Sequence, residues 1–352
     1  MPLVPAHARH QEEMMSKRIA LDVMGGDAAP EATLKGALRA VSEPAGAALE
    51  PERILLVGDQ ERIEALLVEL GGNPGFELQH ASQSVAMDEA PAVALRQKPD
   101  SSIAVGVRSV KEGRCGAVVS MGNTGALVAS ATLGLGTLPG VKRPGIAVTM
   151  KLGGDPLTFL DMGANIAPKP EHLAQYALMG SIYAREVLGI EAPRVGLLNI
   201  GEEETKGTDL LKAAHGLLGQ LPVDFVGNIE GNVLFRGAAD VLVTDGFTGN
   251  VVLKLLEGFA GMMFGWVAGE LQKQGADFGP ELLAGIGRRI DYAEYGGAML
   301  LGVAGAVVVG HGRSDAVAVA NALGLAARNL DAGLNEGIVQ GLAASGEAPQ
   351  AS

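Results

Sequence analysis

Two short segments combine glycine, threonine and amide side chains at a spacing that suits anion binding. VVSMGNTGA (118–126) and LVTDGFTGN (242–250) each pass from an apolar strand through Ser or Thr, Gly and Thr-Gly into a helix. Glycine brings backbone N–H groups close to a ligand, and a helix start adds unpaired donors and a positive dipole end. A phosphate group fits this arrangement. The candidate binding residues are Gly122, Asn123, Thr124, Gly125, Asp245, Gly246, Thr248 and Gly249.

Four further strand ends carry polar, glycine-containing loops. LDVMGGDAAP (21–30) and LDMGANIAP (160–168) share Leu-Asp, glycine turns and a proline before a helix, while LNIGEEETKG (198–207) and GNIEG (227–231) follow other strands. One such loop is ordinary, because these residues are common in turns and helix caps. Six in one chain favour a shared anionic site, to which we also assign Asn165 and Asn228.

Strands alternate with helices along the chain, which predicts a three-layer α/β/α fold with a mainly parallel sheet. In such sheets ligands bind at the carboxyl ends of the strands, where the glycine loops lie. Residues 146–150 and 157–160 are predicted to form a hairpin. Residues 251–272 have helical period with a broad apolar face, and a second helix over about 280–295 is expected to return antiparallel.

The predicted organisation is a disordered extension (1–17), one α/β/α domain of two lobes about a cleft (18–340), and a flexible tail (341–352). The net charge of −13 disfavours a nucleic-acid partner, and the single cysteine fits a reducing compartment. We find no signal peptide and no run of roughly 18 apolar residues. These features predict a cytoplasmic protein that at most touches a membrane surface.

Several kinds of site have no support in the sequence. Neither G-x-x-x-x-G-K-[ST] nor G-x-G-x-x-G behind a strand is present, and the six histidines lie far apart. Asp22, Asp161 and Asp245 could form a Mg²⁺ cluster, but loop hydrogen bonding is the favoured role for each. Cys115 lies at the start of a strand, opposite the predicted site, so a nucleophilic role is disfavoured. We therefore predict no cofactor and no metal.

The loops, in this order, resemble those of the bacterial phosphate acyltransferases. The matching segments are ALDVMGGDAAP, SMGNTGALVAS, RPGIAVTM, LDMGAN, KPEHLAQYA, RVGLLNIGEEETKGTDL, GNIEG, VLVTDGFTGNVVLKLLEG, YGGAMLLGV and HGRSD. The resemblance spans residues 18–330. It implies a fold like that of isocitrate/isopropylmalate dehydrogenases and phosphotransacetylases.

The resemblance also implies an activity. Inorganic phosphate would attack a long-chain acyl-acyl-carrier-protein, giving acyl phosphate for phospholipid synthesis and its glycerol-3-phosphate acyltransferase. It further implies a homodimer and peripheral contact with the inner membrane face, through the hairpin of residues 251–295.

The chemistry of such a reaction assigns roles to three more residues. Attack by a phosphate dianion requires a cation and N–H donors, so Lys206 is expected to orient phosphate and Asn250 to donate to the oxyanion. The alternatives are a solvated lysine in an acidic loop and a helix cap. His311 is a weaker candidate for protonating the leaving thiolate.

Three alternative functions remain open at this point. They are a phosphotransacetylase acting on acyl-CoA, a metal- and NAD-dependent decarboxylating dehydrogenase of the same fold group, and a carrier-binding or membrane scaffold with an inactive site. For the helix over 251–272, a core or dimer interface competes with an acyl groove or a membrane-touching tip.

Overall fold

The computed structural model describes residues 15–42, 48–151, 155–273 and 296–346. The chain divides into two compact units, unit 1 (Met1–Pro139 with Gly296–Gly337) and unit 2 (Gly140–Tyr295 with Ile338–Ser352). The helix predicted over about 280–295 lies outside the described residues, as do residues 1–14 and 347–352 of the predicted extension and tail.

Strands and helices alternate as predicted. The strands are β1 (Ile19–Asp22), β2 (Ile54–Gly58), β3 (Glu77–His80), β4 (Ala117–Ser120), β5 (Gly145–Lys151), β6 (Pro156–Leu160), β7 (Arg194–Asn199), β8 (Asp224–Glu230), β9 (Val241–Val243), β10 (Ala298–Leu301) and β11 (Ala306–Val309). The helices are α1 (Glu31–Ser42), α2 (Gln60–Glu69), α3 (Pro91–Gln97), α4 (Ser102–Lys111), α5 (Thr124–Leu135), α6 (Pro170–Glu186), α7 (Asp209–Leu218), α8 (Gly246–Lys273), α9 (Ala316–Asp331) and α10 (Leu334–Ala344).

Unit 1 contains a sheet in the order β3-β2-β1-β4-β11-β10. Its strand pairs are parallel except β10 with β11. Helix α4 packs on β1, β2 and β4, and α9 packs on β1, β4 and β11. β1 is buried along its whole length, as expected for a strand that is covered on both faces. The carboxyl ends of β1 and β4 therefore lie side by side.

Unit 2 contains strands in the order β5-β6-β9-β7-β8, and only the β5–β6 pair is antiparallel. This pair confirms the predicted hairpin. Helix α6, buried from Leu173 to Ala184, packs on β6, β9 and β7. The mainly parallel α/β fold predicted from the sequence is thus confirmed in both units.

Three elements were not predicted: α3, β10 and α10. Helix α10 extends to Ala344, so residues 341–344 of the predicted tail are helical. The small and polar residues from Gly341 onward suggested a tail, but Leu334, Ile338 and Leu342 are buried at a spacing of four residues and anchor the helix. Tertiary packing decides the structure of this segment.

Helix α8 begins at Gly246, five residues before the predicted start at Val251. Leu253 is buried, but six other large apolar side chains of α8 are exposed and follow one another at intervals of three or four residues, which places them on one face. We call these residues the α8 stripe: Phe247, Val251, Leu255, Phe259, Met262 and Trp266.

No uninterrupted run of roughly 18 apolar residues occurs in helix α8, as expected, because Lys254 and Glu257 interrupt it. By length and mean hydropathy, however, Gly246–Leu271 is long and apolar enough to cross a membrane. The core helices of soluble proteins share this length and composition, so the two features alone do not define a membrane span.

An ion pair joins β7 and β9 at their amino ends and makes a pH-dependent prediction. Asp240 accepts hydrogen bonds from the backbone N–H of Arg194 (2.8 Å), from its Nε (3.0 Å) and from its Nη2 (2.9 Å). Burial alone would raise the pKa of Asp240, but the hydrogen bonds and charge of Arg194 outweigh it, and the pKa is lowered. A lowered pKa stabilises the fold above the unfolded-state pKa, and this contribution is lost as pH falls through the folded-state value.

Asp240→Asn is therefore expected to lower the free energy of unfolding at neutral pH by about 1–2 kcal/mol, a value reduced by solvent screening of the half-exposed Arg194. The difference from wild type should shrink below about pH 4. Urea unfolding at several pH values measures it. The exposed Asp88, which lies outside the strands, supplies the control Asp88→Asn. Equal losses in the two variants, or a pH-independent loss, would contradict this account.

Candidate active site

Each unit brings together one Leu-Asp loop and one Gly-x-Thr-Gly segment. In unit 1, β1 and β4 are parallel neighbours with Asp22 opposite Ser120. In unit 2, β6 and β9 are parallel neighbours with Leu160 opposite Val243. In each unit a Leu-Asp loop is therefore paired with a Gly-x-Thr-Gly segment. The two similar segments of each kind belong to different units.

In unit 1 a buried carboxylate connects the two loops. Ser120 donates its hydroxyl to Asp22 (2.6 Å), and the N–H of Gly122 donates to Ser120 Oγ (3.0 Å). A Cβ on Gly25 would lie 2.5 Å from Asp22 Oδ2 and 2.8 Å from the Gly122 nitrogen. Burial raises the pKa of Asp22, while hydrogen bonds from Ser102 and Ser120 oppose this shift. Asp22 thus holds loops together, as expected.

In unit 2 Asp161 has the equivalent position and organises its own loop. Its Oδ1 accepts from the N–H groups of Ile146 (3.0 Å), Gly163 (3.1 Å) and Ala164 (2.9 Å), and its Oδ2 accepts from Asn165 (2.7 Å). Burial raises the pKa of Asp161, and these N–H donors oppose the shift. The carboxylate serves the fold of the 161–165 loop.

The glycines of the DGFTG segment let the first turn of α8 lie directly on this loop. A Cβ on Gly246 would be 2.6 Å from the carbonyl oxygen of Asn165, and one on Gly249 would overlap that of Asp161. Since both obstacles are backbone atoms, neither can move aside as a flexible side chain would. The spacing Gly-x-x-Gly is thus required by packing in unit 2.

The two Gly-x-Thr-Gly segments cap their helices differently. Asn123 is the N-cap of α5, where its Oδ1 accepts from the N–H of Ala126 (3.0 Å). In the second segment Asp245 precedes the helix and accepts from the Thr248 N–H (2.9 Å) and hydroxyl (2.7 Å). The near-copies in sequence therefore start their helices two positions apart, because the capping residue differs.

Hydrogen bonds within the protein occupy the side-chain nitrogens of two predicted binding residues. The Asn123 side-chain nitrogen donates to the carbonyls of Ala86, Met87 and Glu89, at 2.8–3.2 Å. The Asn165 side-chain nitrogen lies 2.6 Å from the Pro144 carbonyl oxygen and 2.7 Å from Tyr176 Oη. Direct phosphate contact by Asn123 and Asn165 stays a prediction, and the structure assigns both side chains a loop-holding role.

Lys206 lies in the loop between β7 and α7, and its ammonium is accessible. Its side chain is 49% exposed, and Nζ lies 4.0 Å from Glu203 Oε2. The lysine stem passes over Gly201, where a Cβ would lie 2.8 Å from Lys206 Cγ. The cation is therefore available to an anionic ligand.

Asn250 is exposed in the first turns of α8, so it does not cap the helix. Its side chain adjoins Gly163, at 3.6–3.7 Å from the Cβ position of that glycine. The alternative role as N-cap is thereby removed, since Asp245 performs it. His311, in unit 1, accepts the Arg313 N–H at Nδ1 (3.2 Å), so its neutral form carries the proton on Nε2.

The candidate residues differ in their accessibility. Lys206, Asn250 and Thr124 are exposed. Asn165, Asp245, Thr248, Gly125 and His311 are partly exposed. The buried candidates are Gly122, Asn123, Asn228, Gly246 and Gly249. Asn199, which the sequence interpretation missed, is a buried polar residue ending an apolar strand, the same signal that identified Asp22 and Asp161.

Cys115 is buried and poorly suited to act as a nucleophile. Burial raises the pKa of the Cys115 thiol to about 12, which disfavours the nucleophilic thiolate. No group of three or more His, Cys, Asp or Glu side chains suited to a metal is found within the described ranges.

Solved structures define the class to which this fold belongs. A phosphotransacetylase from Streptococcus pyogenes matches with a TM-score of 0.62 and 18% identity, over 93% of this chain and 99% of that one. A 4-hydroxythreonine-4-phosphate dehydrogenase from Klebsiella pneumoniae matches with a TM-score of 0.50 and 14% identity, over 88% and 98%. The chain therefore shares the α/β fold of these phosphotransacetylase and 4-hydroxythreonine-4-phosphate dehydrogenase structures.

Sequence relatives identify the family within this class. The family model described as fatty acid synthesis protein matches residues 17–336. A phosphate acyltransferase from Heliobacterium modesticaldum is 49% identical over 316 residues, covering 88% of this chain and 92% of that protein. One from Myxococcus xanthus is 45% identical over 326 residues, covering 90% and 91%. The chain belongs to the phosphate acyltransferase family, enzymes of fatty acid and phospholipid synthesis, as its loops predicted.

Proposed function

We propose that this phosphate acyltransferase transfers a long-chain acyl group from acyl-acyl-carrier-protein to inorganic phosphate. The observation that carries the proposal is the α8 stripe, which starts at Phe247, three residues before Asn250, and remains exposed to Trp266. At 1.5 Å per residue these positions span roughly 30 Å of helix. A long acyl chain lying along the stripe has its thioester end near Asn250.

The proposed reaction has one nucleophile and one leaving group. An oxygen of hydrogen phosphate attacks the thioester carbonyl and forms a C–O bond, and the resulting tetrahedral intermediate expels the carrier thiolate as the C–S bond breaks. The phosphate proton ends on the thiol. The products are acyl phosphate, a precursor for phosphatidic acid, and free carrier.

Lys206 and Asn250 are the proposed catalytic residues. Lys206, half-exposed and without a close ion pair in the described residues, orients the phosphate and offsets its charge. The Asn250 amide donates to the developing oxyanion. His311 stays a prediction as the donor to the leaving thiolate, a role that requires its imidazolium form.

The α8 stripe also supports our proposals on assembly and location. Six large apolar side chains on one exposed face form a patch of the kind that marks interaction surfaces. We propose a cytoplasmic homodimer with peripheral contact to the inner membrane face, which supplies acyl phosphate to glycerol-3-phosphate acyltransferase. Size-exclusion chromatography with light scattering and vesicle flotation test the two parts separately.

Acyl-carrier-protein and acyl-CoA thioesters of equal chain length, each with and without phosphate, test the proposed reaction. We expect phosphate-dependent formation of a product that hydroxylamine traps as hydroxamate, with the carrier thioester preferred. Preference for acyl-CoA would instead identify a phosphotransacetylase, a second candidate favoured by the fold. Loss of thioester without any need for phosphate would overturn both.

The stripe makes a chain-length prediction. Leu255→Ser and Phe259→Ser remove apolar surface and are expected to raise KM for long-chain acyl carriers about tenfold. Burial of one or two CH₂ groups contributes a free energy of that size. KM for a four-carbon acyl carrier should change less than about twofold, because a short chain does not reach these residues. Steady-state kinetics with both donors measure the difference.

The control for this prediction is Lys254→Ser, which alters an exposed residue of α8 outside the stripe. It is expected to leave both KM values unchanged. An equal rise of KM for short and long donors in the stripe variants would place the acyl chain elsewhere.

A further inference from the structure

Two buried asparagines hold the loop that carries Lys206. Asn199 ends β7 and is 7% exposed. Its Nδ2 donates to the carbonyl oxygen of Lys206 itself (3.2 Å), and its Oδ1 accepts from the N–H of Ile200 (2.8 Å). The side-chain amide of Asn199 therefore hydrogen-bonds to both ends of the loop, at Ile200 and at Lys206.

Gly207 completes this contact. Its φ of +86° is a conformation that L side chains rarely adopt, and a Cβ there would overlap Asn199 Oδ1. Glycine at 207 lets the chain turn over the asparagine directly after Lys206. The position of the lysine carbonyl therefore depends on both residues.

Asn228 holds the other side of the loop from the neighbouring strand β8. It is 5% exposed, and its Nδ2 donates to the carbonyl oxygen of Glu203 (2.9 Å). The same oxygen accepts the N–H of Lys206 (3.0 Å), which closes a turn. Because Glu203 offers an acceptor, the atom facing it must be the amide nitrogen of Asn228 rather than its oxygen.

The oxygen of the Asn228 side-chain amide argues against a purely stabilising role for this residue. Its Oδ1 is buried and has no hydrogen-bond partner in the described residues. An unpaired buried acceptor is unfavourable, so an apolar residue would suit the strand better if stability alone mattered. The hydrogen bond from Asn228 to the Glu203 carbonyl therefore explains why an asparagine occupies this position.

These contacts fix the backbone of Lys206 and leave its head group accessible. Its N–H and carbonyl are both bonded, its stem lies against Gly201, and its side chain remains 49% exposed. We infer that Asn199 and Asn228 are positioning residues, which hold Lys206 in the orientation that contacts phosphate. The inference rests on the proposed role of Lys206 and extends it to two residues that act through it.

Asn228→Asp and Asn199→Asp test the inference because each keeps the shape of the side chain but replaces the donor by an acceptor facing a carbonyl. We expect KM for phosphate to rise about tenfold with a smaller change in KM for the acyl donor, since a displaced cation loses its contact. Calorimetric titration with inorganic phosphate should show the same loss of affinity. If Asn199→Asp fails to fold, Asn228→Asp on the edge strand β8 carries the test.

The matched control is Asn329→Asp, another buried asparagine, whose amide contacts Met299 Sδ in unit 1. It should leave phosphate affinity unchanged at a comparable thermal stability. A phosphate affinity in Asn228→Asp equal to that of this control would overturn the inference.

A double-mutant cycle separates positioning from general destabilisation. In a Lys206→Ala background, Asn228→Asp should change phosphate affinity less than about twofold, because the residue through which it acts is absent. A full, additive loss in that background would overturn the inference. Wild-type phosphate affinity and activity in Lys206→Ala alone would instead refute the proposed role of the lysine, which is a distinct outcome.

Discussion

Lys206→Ala is expected to lower the rate of acyl phosphate formation by about 10²- to 10³-fold, the usual cost of removing a group that stabilises charge in the transition state. The ammonium is accessible, while the backbone on either side is held by Asn199 and the Glu203 turn. Loss of the side chain should therefore remove the cation without disturbing the loop. Circular dichroism and thermal unfolding should match those of wild type.

Asn250→Ala is the companion variant, with an expected loss of the same order. Because Asp245 caps α8, removing the Asn250 amide leaves the helix start intact, and a stability change is not expected. Hydroxamate trapping of acyl phosphate measures both rates. Lys212→Ala, at an exposed lysine of α7, is the control and should retain full activity. Wild-type rates in both folded variants would show that the site has been assigned to the wrong residues.

Gly249→Ala is expected to lower the free energy of unfolding more than any other glycine-to-alanine substitution in unit 2. The new Cβ would overlap the carbonyl oxygen of Asp161, and the next obstacle, Thr244 Cγ2, lies 3.0 Å away. To make room, the first turn of α8 must leave the 161–165 loop, whose carboxylate holds several N–H donors. We expect a loss of about 3 kcal/mol or more in the free energy of unfolding, at the upper end for overpacked sites.

Helix α8 supplies a control for this substitution. Gly261 belongs to the same helix, but a Cβ there meets no heavy atom within 4 Å. Gly261→Ala should stabilise the protein by about 0.5–1 kcal/mol, because alanine loses less conformational entropy in a helix than glycine. Chemical unfolding of both variants gives the comparison. If Gly249→Ala proves as stable as Gly261→Ala, the close approach between α8 and the Asp161 loop is wrong.

The sequence by itself determined the class of fold and the set of loops from which the site is built. Runs such as Ile19–Asp22 and Val241–Val243 are short, apolar and followed by glycine, so local pattern identifies them as buried strands whose polar ends face a ligand. The order of these loops was also sufficient to identify the family. Such features depend on residues close together in the chain.

The tertiary structure decided how those loops are used. VVSMGNTGA and LVTDGFTGN are near-copies in which different residues cap the helix, but only the fold places the Asn123 amide against three loop carbonyls and Gly249 against the carbonyl of Asp161. Which Leu-Asp loop contacts which glycine segment follows from strand order, a non-local property. The apolar pattern of α8 predicted a helix, but only the fold leaves its stripe exposed. The role of Asn228 is non-local too, since it meets the Glu203 carbonyl only when β7 and β8 pair, whereas Asn199 contacts the loop that directly follows its own strand.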